Sequence, residues 1–410
     1  MANYKVGSEW RKWDLHVHTP ASIVQHYGDG NDENWEKYIK DLEGLPEEFK
    51  VLGINDYFFI DGYERVKKEK EVNGRLKNID LILPVIELRI DKLAGLEFSN
   101  TLKPNMHIIF SNEVSVDTIK EQFLPELKYS YTLENGKKSE ARITPSSLEK
   151  LGREIYELTP EDKRTTSNFL QIGFSNVAID DKEIIKVLEN NVYFKDKYLI
   201  GLGKSEWSNI KWTSSSTAGK RDIIEKSHMV FAASKSEEEF KKSRETLIQQ
   251  RVNANLFHCS DAHYFSNSSQ KERIGNCMTW IKADTTFEGL KYAIREYNKR
   301  VCITESIPEK EKIVRNKKTK YIKKITIGKE KQAKTTDIWF NNEVEFNKDL
   351  VAIIGNKGNG KSALADIIAF TGNYSSEKDM SFLNEERFRN PKQNLAKDFY
   401  AELTWEDETI

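Results

Sequence analysis

Cysteine is scarce. The chain has three in 410 residues, Cys259, Cys277 and Cys302, odd in number and unclustered. That spacing excludes a disulfide framework and fits a reducing compartment, so a cytoplasmic protein is expected. Long apolar runs are missing too. No stretch reaches the roughly 20 residues a membrane span needs, and Met1-Ala2-Asn3-Tyr4-Lys5 carries no apolar signal region. No membrane partner is expected. Nor does charge of one sign prevail: 64 Lys and Arg face 65 Asp and Glu, for a net charge of -1. The chain as a whole therefore gives no electrostatic preference for nucleic acid, although a local patch could. Internal repeats and low-complexity tracts are absent as well.

What is present describes a globular protein. With 38% hydrophobic and 31% charged residues, the chain can bury a substantial core and is not disordered throughout. Its length suits two or three domains. Up to about residue 305, short runs rich in Val, Ile, Leu and Phe alternate with longer amphipathic segments. The runs are residues 13–18, 51–55, 81–88, 107–110, 198–203, 229–233 and 255–259. They read as buried parallel strands, while residues 182–189 and 287–297 carry apolar positions at helical spacing. The α/β class follows, as a βα barrel or an open doubly wound sheet. Residues 112–197 are too many for a simple connection and predict an inserted helical region, with residues 148–156 among its helices.

From Pro308 to Lys334 the chain turns basic, which reads as a solvated linker and edge strand over 306–335; the alternative is a patch for nucleic acid or a partner. A second unit occupies 336–410. Residues 344–346 and 350–354 predict strands there and 361–370 a helix, too little to complete a domain.

Seven histidines are present, and four stand near predicted strand ends in short polar clusters. His16 and His18, two apart on a strand, point to the same side and can grip one metal ion. Asp261-Ala262-His263 repeats that geometry at the end of the last strand, and Asn55-Asp56 and Glu87 follow intermediate strands. In a parallel βα architecture the carboxyl ends of strands converge. His16, His18, Asp56, Glu87, Asp261 and His263 thereby reach a common mouth, where mixed His and carboxylate ligands suit two or three divalent ions that activate water against phosphorus. A lone His-x-His is more often a satisfied polar pair than a ligand pair. The joint occurrence on first and last strands, with acids between, favours ligands. His228 begins its strand, at the opposite end, and reads as structural.

Residues 14–22 (DLHVHTPAS), 53–57 (GINDY), 84–87 (PVIE), 107–110 (HIIF) and 259–263 (CSDAH) together resemble the polymerase-and-histidinol-phosphatase superfamily, over about residues 10–300 and in family order. The resemblance implies a distorted seven-stranded βα barrel that hydrolyses phosphoesters with two or three Zn, Mn or Fe ions. Position by position, His16, His18, Glu87 and Asp261 match the ligands of one ion, Glu87 and His107 two ligands of a second, and His263 a ligand of a third. The chain departs from the pattern at Ile23, where many members have Asp. It departs again at Tyr57, where the family's Thr-Asp-His has become Asn55-Asp56-Tyr57. The fifth strand ends in Gly203-Lys204-Ser205-Glu206-Trp207 rather than His-Pro. Glu206 is a candidate replacement ligand, Lys204 a candidate phosphate contact, and His26 a candidate for the depleted third site. Asp56, Glu206 and Lys204 are taken as the candidate catalytic residues.

Gly355-Asn356-Lys357-Gly358-Asn359-Gly360-Lys361-Ser362 matches the G-x-x-x-x-G-K-[ST] pattern in full, between a predicted strand and a predicted helix. Glycines let such a loop wrap phosphate, Lys361 would reach the β/γ-phosphates, and Ser362 would ligate Mg²⁺. Asn356, Gly358, Gly360, Lys361, Ser362 and Ala363 are the candidate nucleotide contacts, for ATP with Mg. Residues 346–366 resemble the N-terminal half of ATP-binding-cassette ATPases of the chromosome-maintenance (SMC) type. That resemblance implies an incomplete P-loop ATPase lobe, with the remainder beyond residue 410 or on another chain, and homo-oligomers formed through ATPase heads. A barrel fused ahead of such a lobe resembles bacterial proteins of anti-phage defence. A nuclease gated by nucleotide is therefore expected; the rivals are a weakened barrel that only binds nucleic acid or a partner, and a phosphatase of small molecules.

Overall fold

The computed structural model describes residues 6–91, 103–132, 138–203, 213, 217–336, 342–374 and 376–410. The chain divides into two units, one being Arg11–Ser306 and the other residues 6–10 with Ile307–Ile410.

In the first unit all seven apolar runs form strands: β1 (Glu9–His18), β2 (Phe49–Tyr57), β3 (Leu81–Arg89), β4 (Asn105–Phe110) and, after a hairpin of β5 (Lys128–Thr132) and β6 (Lys138–Arg142), β7 (Tyr198–Leu202), β8 (Met229–Ala232) and β9 (Leu256–His258). β10 (Thr279–Ala283) and β11 (Val301–Ile303) complete a nine-stranded sheet in the order β11-β10-β1-β2-β3-β4-β7-β8-β9. The sheet curls until the chain beyond β9 meets β1. Val17 bridges Ala262, and the His18 N–H donates to the Ala262 carbonyl at 3.0 Å. The result is a nearly closed, barrel-like sheet.

Not every strand is parallel. β1, β2 and β3 run together, as do β7, β8 and β9, but β4 is antiparallel to both of its neighbours. The start of β4, not its end, therefore stands beside the end of β3, and the ladder sets His107 opposite Glu87.

Alternation along each strand separates two cores. Leu81, Leu83 and Val85 join Val51, Ile109, Leu199, Phe231 and Phe257 in one apolar cluster, and the next position on that face of β3 is Glu87. Leu52, Ile54, Ile82, Ile86, Ile108 and Leu202 belong to the other cluster, which includes Tyr38, Ile39 and Leu42 of α1 (Asp32–Glu43) and Val66 of α2 (Asp61–Glu71). Burial of each such side chain contributes roughly 1.5–3 kcal/mol. α1 begins where the Asn31 side chain accepts the Asn34 N–H, as an N-cap should.

The inserted region contains α3 (Val116–Gln122), the β5–β6 hairpin, α4 (Pro145–Leu158), α5 (Phe169–Asn176) and α6 (Asp181–Asn190). The hairpin departs from the all-helical expectation. α4 starts at a capping box formed by Thr144 and Ser147, and α4 and α5 approach closely because Gly152 and Gly173 carry no Cβ. A methyl at Gly152 would lie 1.9 Å from the Phe169 carbonyl oxygen.

In the second unit a three-stranded antiparallel sheet has the order β13-β12-β14, from β12 (Ile322–Lys329), β13 (Asn342–Glu345) and β14 (Phe399–Trp405). The basic segment thus supplies the central strand of this sheet instead of an edge. The helix Lys361–Thr371 contributes Ile367 to a small core with Ile325, Ile327, Met380, Leu383 and Leu403. The strand expected over 350–354 does not form. Those residues belong to no described sheet, and Leu350 and Ile354 are 95% and 88% exposed. Among the described residues no helix is long and apolar enough to cross a membrane.

Candidate metal centre

The site begins with an irregularity in β1. Its register against β2 shifts between Asp14 and Val17. Trp13 and Leu15 pack in the apolar cluster beneath the site, Val17 faces the helices, and His16 and His18 take the side that carries Glu87. Gly53 permits this, since a Cβ there would meet the Leu15 carbonyl oxygen at 2.5 Å.

Two groups of potential ligands share His16: His16, Glu87 and His107 form one, and His16, His18 and Asp261 the other. His16 Nε2 lies 3.0 Å from His18 Nε2, 3.2 Å from Glu87 Oε2 and 3.1 Å from Asp261 Oδ1. His18 Nε2 is 3.3 Å from Glu87 Oε2 and 3.7 Å from Asp261 Oδ1, and His107 Nε2 is 3.4 Å from Glu87 Oε2. Atoms about 2.0–2.2 Å from a common ion, in tetrahedral or octahedral array, lie roughly 2.8–3.6 Å from one another. Five of the six separations fall in that range, and the sixth, His18 to Asp261 at 3.7 Å, lies just beyond it. Among the described residues neither ring nitrogen of buried His107 has a hydrogen-bond partner, a costly arrangement for a polar group unless another acceptor of its lone pair occupies the site. The residues fit a divalent ion.

The same groups shift one another's protonation. Burial opposes the Glu87 charge, but His107 beside it and contacts from His16 and His18 hold its carboxyl well below the usual range. Burial would depress His16, yet the adjacent Asp261 carboxylate, with Cys259 and Glu87, raises it well above its ordinary value. His18 moves the other way: burial, and then the neighbouring His263, hold it well below. Its Nδ1 pairs with Ser22 Oγ at 3.0 Å, which leaves Nε2 to face the cluster. A neutral imidazole oriented from behind is the form that binds metal.

Around this cluster sit groups that hold it in place. Burial raises Asp14 to about 6, and its Oδ1 accepts the Ser260 N–H at 3.1 Å and the His16 N–H at 3.4 Å, tying β1 to the chain beyond β9. At the rim, the His263 ring lies tilted against His18 with ring centroids 4.0 Å apart, and the Tyr57 hydroxyl lies 3.4 Å from His263 Nε2. Tyr57 in turn packs against Phe174 of α5, so the inserted region forms one wall.

The remaining candidates are placed elsewhere. Asp56 points away from the ligands, since Asn55 and Tyr57 occupy the facing positions of β2; its carboxylate accepts the Thr19 N–H at 3.1 Å and the Thr19 hydroxyl at 2.9 Å. His26 stands outside both groups, its exposed ring stacked on Tyr264 at 4.3 Å. Lys204 and Glu206 lie outside the described residues. Two residues that spacing did not single out touch the centre. Asn55 Nδ2 donates to Glu87 Oε2 at 2.9 Å, and Asn105 Nδ2 donates to Glu87 Oε1 at 2.5 Å. The sequence signal for Asn55 was its place two residues before Tyr57, on the same face of a strand.

In the second unit Asn356, Gly358 and Gly360 lie in an exposed loop, Lys361 and Ser362 open the helix, and Ala363 is buried. Gly358 and Gly360 have φ of 88° and 77°, which favour glycine, and Lys361 Nζ donates to the Gly355 and Asn356 carbonyls at 2.9 Å each. No protein-family model matches this chain, and no curated protein matches it either.

Proposed function

We propose that the barrel is a metal-dependent phosphoesterase, a nuclease acting on DNA or RNA phosphodiesters. The observation that carries the reading is the convergence of His16, His18, Glu87, His107 and Asp261 at ligand spacing, with both His107 nitrogens buried and without a hydrogen-bond partner among the described residues. Divalent ions there would supply a hydroxide at neutral pH and a Lewis acid for phosphoryl oxygens. The chain's own groups prepare the site. Glu87 Oε2 faces three imidazoles and would hold metal together with them, and the Asn105 amide fixes the other carboxylate oxygen. Ser22 sets the His18 tautomer, and Asp14 fixes the backbone between the two histidine-bearing segments. The resemblance stated above supports phosphorus as the electrophile.

The loop of the second unit is read as a cradle for ATP phosphates, with Lys361 already at its centre and Ser362 available to Mg²⁺. Gating of the barrel by nucleotide, completion of the ATPase by further residues or a second chain, and a role in anti-phage defence belong to the same reading.

Incubation of the purified chain with labelled DNA and RNA in Mn²⁺ tests it, beside nitrophenyl phosphate and a His16→Ala/His18→Ala control. Cleavage of a polynucleotide by the wild type alone is expected; equal cleavage by the control would refute the assignment. A second reading, a binding module with a weakened centre, draws on Tyr57, which stands at the rim where the resembled family has a histidine. Bound metal with no turnover of any of the three substrates would favour it.

A further inference from the structure

We propose that Asn55 is itself a metal ligand, through the oxygen of its side-chain amide; the proposal rests on the metal-centre reading above. Asn55 is fully buried on β2. Its amide Nδ2 lies 2.9 Å from Glu87 Oε2 and 3.1 Å from His18 Nε2. These separations equal those among the ligand atoms themselves, so the amide terminus occupies a ligand position. Its other atom, Oδ1, is buried with no hydrogen-bond partner among the described residues.

Nitrogen and oxygen of an amide are nearly the same size and are distinguished by their partners. With nitrogen toward the cluster, Asn55 donates to a carboxylate and to a neutral imidazole, and its oxygen has nothing to accept. A divalent cation among those same atoms reverses the local charge. It repels the amide hydrogens and attracts the oxygen, a hard donor of the kind that Mg²⁺, Ca²⁺ and Mn²⁺ accept. A half-turn of the amide brings Oδ1 to the place of Nδ2. Asn55 thereby supplies a ligand on the strand where Tyr57 has replaced the family's histidine.

Asn105 provides the internal contrast. All three imidazoles approach Glu87 Oε2, and Asn55 touches that same oxygen, whereas Asn105 bonds Oε1. Asn105 anchors the carboxylate from the side away from the histidines; Asn55 stands with the ligands. An added amide oxygen also shifts the site toward hard ions, so Mn²⁺ gains relative to Zn²⁺.

Calorimetric titration of Mn²⁺ into the metal-stripped full chain tests this, with Asn55→Leu, Asn55→Asp and the His16→Ala/His18→Ala double variant. Circular dichroism establishes that each is folded. Asn55→Leu is expected to weaken Mn²⁺ about tenfold or more, in the range found when groups around a metal are removed. Asn55→Asp separates a ligand from a mere donor, because the two roles predict opposite signs. A ligand role retains or tightens Mn²⁺ binding, since a carboxylate oxygen replaces an amide oxygen. A donor role loses it, since the new carboxylate repels Glu87. Equal affinity of wild type and Asn55→Leu, or equal losses in both Asn55 variants, overturns the proposal while leaving the metal centre standing. No Mn²⁺ bound by the wild type overturns the metal centre and Asn55 together.

Discussion

Asp56 and Asn55 are chain neighbours with opposite surroundings, because successive residues of a strand face opposite sides. Asp56 is turned into the Thr19–Ser22 turn, where burial raises its carboxyl from 3.8 to about 7 against the lowering effect of Thr19 and Ser22. The sign of the consequence is definite. Between those values the folded chain holds a proton that the unfolded chain has released, so stability from this group is complete below pH 3.8 and is lost as pH rises through about 7. Urea midpoints measured from pH 4 to pH 8 should therefore decline less steeply for Asp56→Asn than for the wild type; parallel profiles would contradict this. The cluster that His16, His18, Glu87, His107 and Asp261 form was legible at this scale only from the joint occurrence of His16-x-His18 and Asp261-x-His263 on first and last strands with acids between, since either pair alone has commoner uses. Asn55 and Asn105 were not. An amide serves equally as a cap, a turn residue or a satisfied core group, and only the strand register shows which face it takes.

A single irregularity in β1 gives the elements their relation to the site. Without the register shift after Asp14, strict alternation could not place Leu15 in the apolar cluster and also bring His16 and His18 to Glu87. Gly53→Ala puts a methyl against the Leu15 backbone and should destabilise the first unit by about 1–3 kcal/mol, as overpacking does. The accompanying loss of Mn²⁺ affinity distinguishes a displaced His16–His18 pair from general weakening, and calorimetry on the folded variant reads it. Apolar runs revealed the seven strands because buried strands repeat a plain chemical pattern. Direction carries no such pattern. β4 reads like its neighbours yet runs against them, and its reversal is what brings His107 to Glu87. The run at 350–354 shows the converse: apolar text makes a strand only where another strand can pair with it, and the described sheet of the second unit, β13-β12-β14, does not include it.

At the scale of the whole molecule there are two units with separate apolar cores, large in the first and small in the second. Independent cores predict separable unfolding, and a ligand stabilises only the fold it binds, by about 2.7 kcal/mol at a hundredfold excess over Kd. In a calorimetric scan, Mn²⁺ should raise one transition and Mg-ATP the other. A shift of both by either ligand would show that the units unfold as one. Composition changes after residue 305, and the contacts divide near there too, at Ser306; the architecture of the second unit was not legible, since its fold depends on pairings that local pattern does not specify.

The bond from the Ser260 N–H to Asp14 joins groups 246 residues apart. The residues proposed as ligands, at 16, 18, 87, 107 and 261, come from both ends of the first unit: His16, Glu87 and His107 are all present by residue 107, whereas the group of His16, His18 and Asp261 waits for residue 261. A nascent polypeptide still short of residue 261 would lack the second of these groups, and closure must await contacts of very high sequence separation, which form slowly. Completion of the paired site would then come late in folding, and a chain interrupted during synthesis would leave the ribosome with only the first group.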